Sequence, residues 1–99
     1  MPFEDSAHFE REMGCTPDEL RRWLPGASGD RPLAWRTDGA DVTIGGGRLR
    51  LDWQVLPPRR IASIVLPRLR VRFDFGGVGD DERRGFMRFF DLYTHRGGG

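Results

Sequence analysis

Arg48-Leu49-Arg50-Leu51-Asp52-Trp53-Gln54-Val55-Leu56 alternates polar and apolar residues almost without interruption. Strict alternation is the period of a pleated strand with one face buried, because successive side chains point to opposite faces. Leu49, Leu51, Trp53 and Val55 then line a covered face, and Arg48, Arg50, Asp52 and Gln54 an open one. Arg68-Leu69-Arg70-Val71-Arg72-Phe73-Asp74-Phe75 repeats the pattern, with Leu69, Val71, Phe73 and Phe75 inward and Arg68, Arg70, Arg72 and Asp74 outward. These two stretches decide the fold class: a sheet with one covered face, which needs apolar elements to cover it.

The cover is written on either side of the sheet. Phe86, Phe89, Phe90 and Tyr93 fall at i, i+3, i+4 and i+7, a broad helical stripe. Asp80, Asp81 and Glu82 precede it and His95 and Arg96 follow it, which suits the dipole of a helix over 80–96. Thr16-Pro17-Asp18-Glu19 is a capping box with proline at the first helical position. It opens a helix with Leu20, Trp23 and Leu24 on one side, which Pro25-Gly26 is expected to end. Before it, Phe9 and Met13 one turn apart predict a first helix over Ser6–Met13, with Gly14 as its stop.

Between the helical parts the punctuation is that of hairpins. Asp38-Gly39 separates a strand at Leu33–Thr37 from one at Asp41–Ile44, and Gly45-Gly46-Gly47 turns the chain again. Pro57-Pro58 reads as a strand break. The stretch Arg60–Leu66 is apolar on both parities, the pattern of a segment covered on both sides. The expectation is one α+β domain: two short N-terminal helices within 1–30, a four- to five-stranded antiparallel meander over 31–79, a C-terminal helix over 80–96 packed on one sheet face, and a flexible glycine tail at 97–99.

Composition narrows the function classes. The hydrophobic fraction is 37% and the charged fraction 31%, a globular balance. No apolar run approaches a membrane span and no signal core follows Met1, so the default expectation is a cytoplasmic protein with no membrane partner. Cys15 is the single cysteine, which excludes an internal disulfide. All 16 basic residues are arginine, whose planar fork binds carboxylate and phosphate bidentately. The net charge of +1 hides a split: residues 1–30 are acidic and residues 31–79 basic.

That split makes the open face the candidate site. Arg48, Arg50, Arg68, Arg70 and Arg72 share it, with Asp52 and Asp74 as the evident counter-charges, and Arg59 and Arg60 extend it. Such a surface attracts polyanions, nucleic acid included, or an acidic protein surface. It serves equally as a solvated face, as a seat for the acidic N-terminal helices of the same chain, or as a self-association interface. Trp53, Phe73 and Phe75 have inward parity, so bases would find no stacking platform, and binding would be to backbone charge.

Other signals are weaker. Gly76-Gly77-Val78-Gly79 has the position of a phosphate loop but lacks its Lys-Ser/Thr ending and runs into three acids. Asp80 and Asp81 are a thin basis for a divalent cation. His8, His95 and Cys15 make no ligand spacing, so no metal, cofactor or catalytic residue is assigned. Gly97-Gly98-Gly99 is similar to the activated tails of ubiquitin-like carriers in those residues only, and their tails leave a strand rather than a helix. Met13-Gly14-Cys15-Thr16-Pro17-Asp18-Glu19-Leu20 and Phe90-Asp91-Leu92-Tyr93 with the glycine tail resemble a small family of uncharacterised proteobacterial proteins. The resemblance covers most of the chain and implies no activity, cofactor or partner.

Overall fold

The computed structural model describes residues 7–95. In chain order the elements are β1 (His8–Met13), α1 (Pro17–Ala27), β2 (Leu33–Arg36), β3 (Gly39–Ile44), β4 (Gly47–Ile61), β5 (Ile64–Gly76) and α2 (Asp80–His95). The strands form one antiparallel sheet in the order β1-β5-β4-β3-β2. Strands β2 to β5 are the expected meander, closed by tight turns at Thr37-Asp38 and at Gly45-Gly46, where Gly45 has φ 57°. The start of the expected first helix at Ser6, Arg96 at the end of the last one, and the tail Gly97–Gly99 lie outside the described residues.

The expected first helix is a strand. His8–Met13 pairs with β5 along its length, from His8 opposite Asp74 to Met13 opposite Leu69. Its residues alternate: Phe9 is buried on the covered face, and Glu10 and Glu12 stand on the open one. Arg11 hides the period because it is polar yet points to the covered side. There its guanidinium pairs with Asp91 of α2 at 2.5 Å and lies 5.3 Å from the Phe73 ring centroid. The four-residue spacing of Phe9 and Met13, which predicts a helical turn, also puts both on one face of a strand.

Both helices lie on the covered face. The capping box forms as expected, with Thr16 and Glu19 exchanging bonds of 3.1 and 2.9 Å. Helix α1 runs to Ala27, so Pro25 and Gly26 belong to its last turn rather than its end, and Ser28 closes it by donating its N–H to the Leu24 carbonyl. Tyr93 of α2 packs over Gly26: a Cβ there would stand 2.3 Å from its hydroxyl and would displace the ring. Beneath the helices, Phe9 stacks on Phe73 at 4.8 Å, Phe73 meets Phe90 edge-on at 5.5 Å, and Phe75 meets Phe86 at 6.0 Å. Each buried phenylalanine contributes about 1.5–3 kcal/mol.

The prolines do not break the strands. β4 runs through Pro57-Pro58 with a bulge, setting these two residues opposite the single Pro67 of β5. β5 likewise runs through Pro67. Proline is tolerated because neither strand has an outer neighbour here: β3 reaches only to Asp52, and β1 only to Leu69. Beyond those points β4 and β5 continue as a two-stranded ribbon, turning at Ala62-Ser63. A strand of 15 residues spans about 50 Å, consistent with the molecule's 46 Å long axis. Arg60–Leu66, expected to be covered, is the exposed tip of this ribbon.

Candidate anion-binding face

The sheet places all five predicted arginines on the open face, and neither helix crosses it. Arg48, Arg50, Arg70 and Arg72 are exposed and Arg68 is half-buried. The alternative in which acidic N-terminal helices cover them gives way to a different arrangement: the acidic segment supplies Glu10 and Glu12 at the edge, through β1.

Cross-strand register then decides what each arginine faces. One row of direct partners reads His8, Asp74, Arg50, Asp41 across β1, β5, β4 and β3. The next reads Glu10, Arg72, Asp52, Gly39. The third reads Glu12, Arg70, Gln54. Charges alternate along the rows, the arrangement that avoids like charges directly opposite. Arg50 also bonds Asp52 at 3.0 Å, and Arg72 lies 3.7 Å from Asp74. Arg68 donates to Glu12 at 2.7 Å and to the Pro57 carbonyl at 3.1 Å.

Arg36 was missed in the sequence and organises the far side of the face. Its guanidinium bridges Asp52 at 2.5 Å and Asp41 at 2.9 Å and also donates to the carbonyls of Leu51 and Ala40. It passes over Gly39, where a Cβ would stand 2.4 Å from it. Burial pushes the Asp52 carboxyl up, but the hydrogen bonds from Arg50 and Arg36 outweigh it and hold the pKa below the ordinary value. The bond from Arg68 lowers Glu12 in the same way. A polar residue in a four-residue strand gave no periodic signal that could have marked Arg36.

The compensation is uneven along the face. Asp41, Asp52 and Asp74 lie where the sheet is wide, whereas residues 53–73 carry five arginines and no acid. Around the ribbon, Arg59, Arg60, Arg68 and Arg70 answer to Glu12, which binds Arg68 and stands 3.9 Å from Arg59. Among the described residues, Arg48, Arg60 and Arg70 make no side-chain hydrogen bond or ion pair.

No comparable chemistry gathers elsewhere among the described residues. A groove of about 640 Å³ on the helix side is lined by Arg11, Met13, Cys15, Trp23, Asp91 and Leu92, among others. Its charged pair, Arg11 and Asp91, is spent on itself. Burial, helped by Glu19, pushes the Cys15 thiol up to about 11, so it stays protonated and is no nucleophile at neutral pH. No group of three metal-ligating side chains occurs among the described residues, and Asp80 and Asp81 are each held by an arginine three positions on. Gly76–Gly79 is a connector into α2, with Gly77 at φ 69°. No helix among the described residues is long and apolar enough to cross a membrane. No protein-family model, curated protein or solved structure matches the chain.

Proposed function

We propose that this chain is a binding domain that engages a polyanionic partner at the β4–β5 ribbon and the open sheet face beside it. The observation that carries the reading is the acid-free segment 53–73: where the sheet narrows to two strands Arg59 and Arg60 stand exposed, Arg59 on the open face and Arg60 beside Val65 on the other, with the exposed Arg70 at the ribbon's base. In the wide part of the sheet Arg36, Arg50 and Arg72 have acids beside them, so their field is largely cancelled at the surface. At the ribbon the field is not cancelled, and closely spaced guanidinium groups take phosphate or carboxylate groups in two-pronged hydrogen bonds. Binding would read charge rather than sequence, because Trp53, Phe73 and Phe75 are buried and offer no stacking surface.

The test is fluorescence anisotropy with a labelled single-stranded oligonucleotide and, in competition, heparin, across a salt series. Affinity should fall linearly on a log–log plot as salt rises, and the slope should become shallower by about one for each contacting arginine removed. Arg70→Glu and Arg60→Glu should weaken binding, whereas Arg84→Glu on α2 should not. Absence of binding at low salt, or equal effects of all three variants, refutes the reading.

A further inference from the structure

The ribbon carries more than charge. Val55, Ile61, Ile64, Val65 and Leu66 are 42–64% exposed, although they are among the most apolar side chains of the chain. Cross-strand partners share a face, so Ile61 and Ile64 stand together, and Leu66 stands beside Arg59. Alternation along β5 puts Ile64 and Leu66 on the arginine face and Val65 on the opposite face, the same one as Val55. Apolar groups therefore project from both sides of the tip. A small isolated ribbon gains little stability by itself, so this exposure is not required by the ribbon's own packing.

Three features limit what can cover it. A partner laid on one face leaves the other wet. A partner added as an extra strand meets Pro57 and Pro58 on one edge and Pro67 on the other, none of which can donate. The charges carried by the ribbon itself are positive: Arg60 is one residue and Arg59 two residues from Ile61, about 3–7 Å along the strand. A medium that surrounds the tip, is apolar at depth and is anionic a few ångströms nearer the surface meets all three. The headgroup–acyl boundary of a phospholipid membrane has that profile over about 5–10 Å.

We infer that the β4–β5 ribbon is a membrane-surface anchor, which inserts Ile61, Ile64, Val65 and Leu66 among the acyl chains of an anionic bilayer while Arg59 and Arg60 bind lipid phosphates. The inference rests on the anion-binding reading above and names its polyanion as a lipid surface. The expectation of no membrane partner rested on the absence of a spanning stretch, and a shallow insertion needs none. Acyl surroundings account for the apolar tip, which a soluble polyanion leaves unexplained.

Co-sedimentation of the full chain with vesicles of equal parts phosphatidylglycerol and phosphatidylcholine tests it, against vesicles of phosphatidylcholine alone and against the oligonucleotide in solution. The mixed vesicles should bind the chain and the neutral ones should not. Ile64→Asp should lower vesicle affinity at least about tenfold, and Ile64→Asn, which adds no charge to the arginine face, should also lower it while leaving oligonucleotide affinity unchanged. Arg59→Ala with Arg60→Ala should lower vesicle affinity about fivefold per arginine, with circular dichroism confirming that each variant is folded. Oligonucleotide binding without vesicle binding overturns the anchor and leaves the anion-binding reading standing. Loss of both overturns both. Vesicle binding indifferent to Ile64→Asp overturns insertion, since charge alone would then hold the chain. A dimer in sedimentation that Ile64→Asp dissociates, with no vesicle binding, overturns the anchor in favour of a self-interface.

Discussion

Arg48 and Arg72 are both exposed arginines on the same sheet face, yet replacing each with glutamate should have different consequences. Arg72 lies directly between Glu10 of β1 and Asp52 of β4 and stands 3.7 Å from Asp74. Arg72→Glu turns two opposite-charge pairs into two like-charge pairs. An opposite-charge cross-strand pair contributes about 0.2–1 kcal/mol, and a like-charge pair costs a similar amount. Four such terms sum to about 1–4 kcal/mol, and solvent screening at this exposure reduces that to the lower part of the range, about 1–2 kcal/mol. Arg48 has Thr43 and Gly76 as partners, so Arg48→Glu meets no carboxylate across either strand and should change stability by less than about 0.5 kcal/mol.

Urea unfolding followed by circular dichroism measures both, and thermal melts should separate the two variants by about 4–16 °C for a domain of this size. The difference is electrostatic, so it should shrink in 1 M salt, where the screening length falls to about 3 Å. Glu10→Arg in the Arg72→Glu background restores one favourable pair and should recover part of the loss. Equal effects of the two single variants, or a difference that salt leaves intact, refutes the alternating rows and with them the β1–β5 register.

Acid should destabilise the domain through Glu12, Asp52 and Asp80, whose folded-state pKa values are lowered from 4.5 for the glutamate and 3.8 for the aspartates. Their contribution is complete above those unfolded values and is lost as pH falls through the folded ones, so the melting temperature should hold above about pH 5 and drop below it, less steeply in Glu12→Gln. Cys15 should resist alkylation at pH 8 in the native protein and react at the rate of a free thiol in urea, because the folded chain buries it and pushes its pKa up to about 11. Gly47→Ala should cost about 1–3 kcal/mol in urea unfolding, since its Cβ would stand 2.3 and 2.4 Å from the carbonyl oxygens of Gly77 and Gly76. Gly46→Ala, with nothing within 4 Å, should be close to neutral.

The covered face was legible because its residues obey one period each. Leu49, Leu51, Trp53, Leu69, Val71, Phe73 and Phe75 are buried where alternation puts them, and Phe86 and Phe90 where the helical stripe does. β1 was misread because Arg11 occupies a covered position by virtue of a carboxylate 80 residues away, which no local window contains. A longer-range signal was present: Glu12 and Glu10 run antiparallel to Arg70 and Arg72, so charge complementarity between the two stretches favours pairing. The ribbon was misread for another reason. Apolar residues on both parities ordinarily mean burial on both sides, and the sequence has no symbol for a strand pair that outruns its neighbours.

That overrun ties the charge pattern to the topology. Acids appear on the open face only as far as the flanking strands extend: Glu10 and Glu12 come from β1, Asp41 from β3, and Asp52 sits at the last β4 position that β3 still pairs. In a five-stranded row each arginine has a neighbour on both sides, and alternation of sign is what lets the row form without repulsion. In the ribbon that constraint lapses. Arg59 and Arg60 face Leu66 and Val65, and replacing them with acids would create no like-charge pair across the ribbon. Folding therefore tolerates either sign at position 60, Arg59 has only its 3.9 Å approach to Glu12, and folding does not require the apolar tip beside them. A cation without a folding contact at Arg60, next to apolar side chains without a covering partner, places the selective pressure on what the ribbon touches rather than on what holds it together.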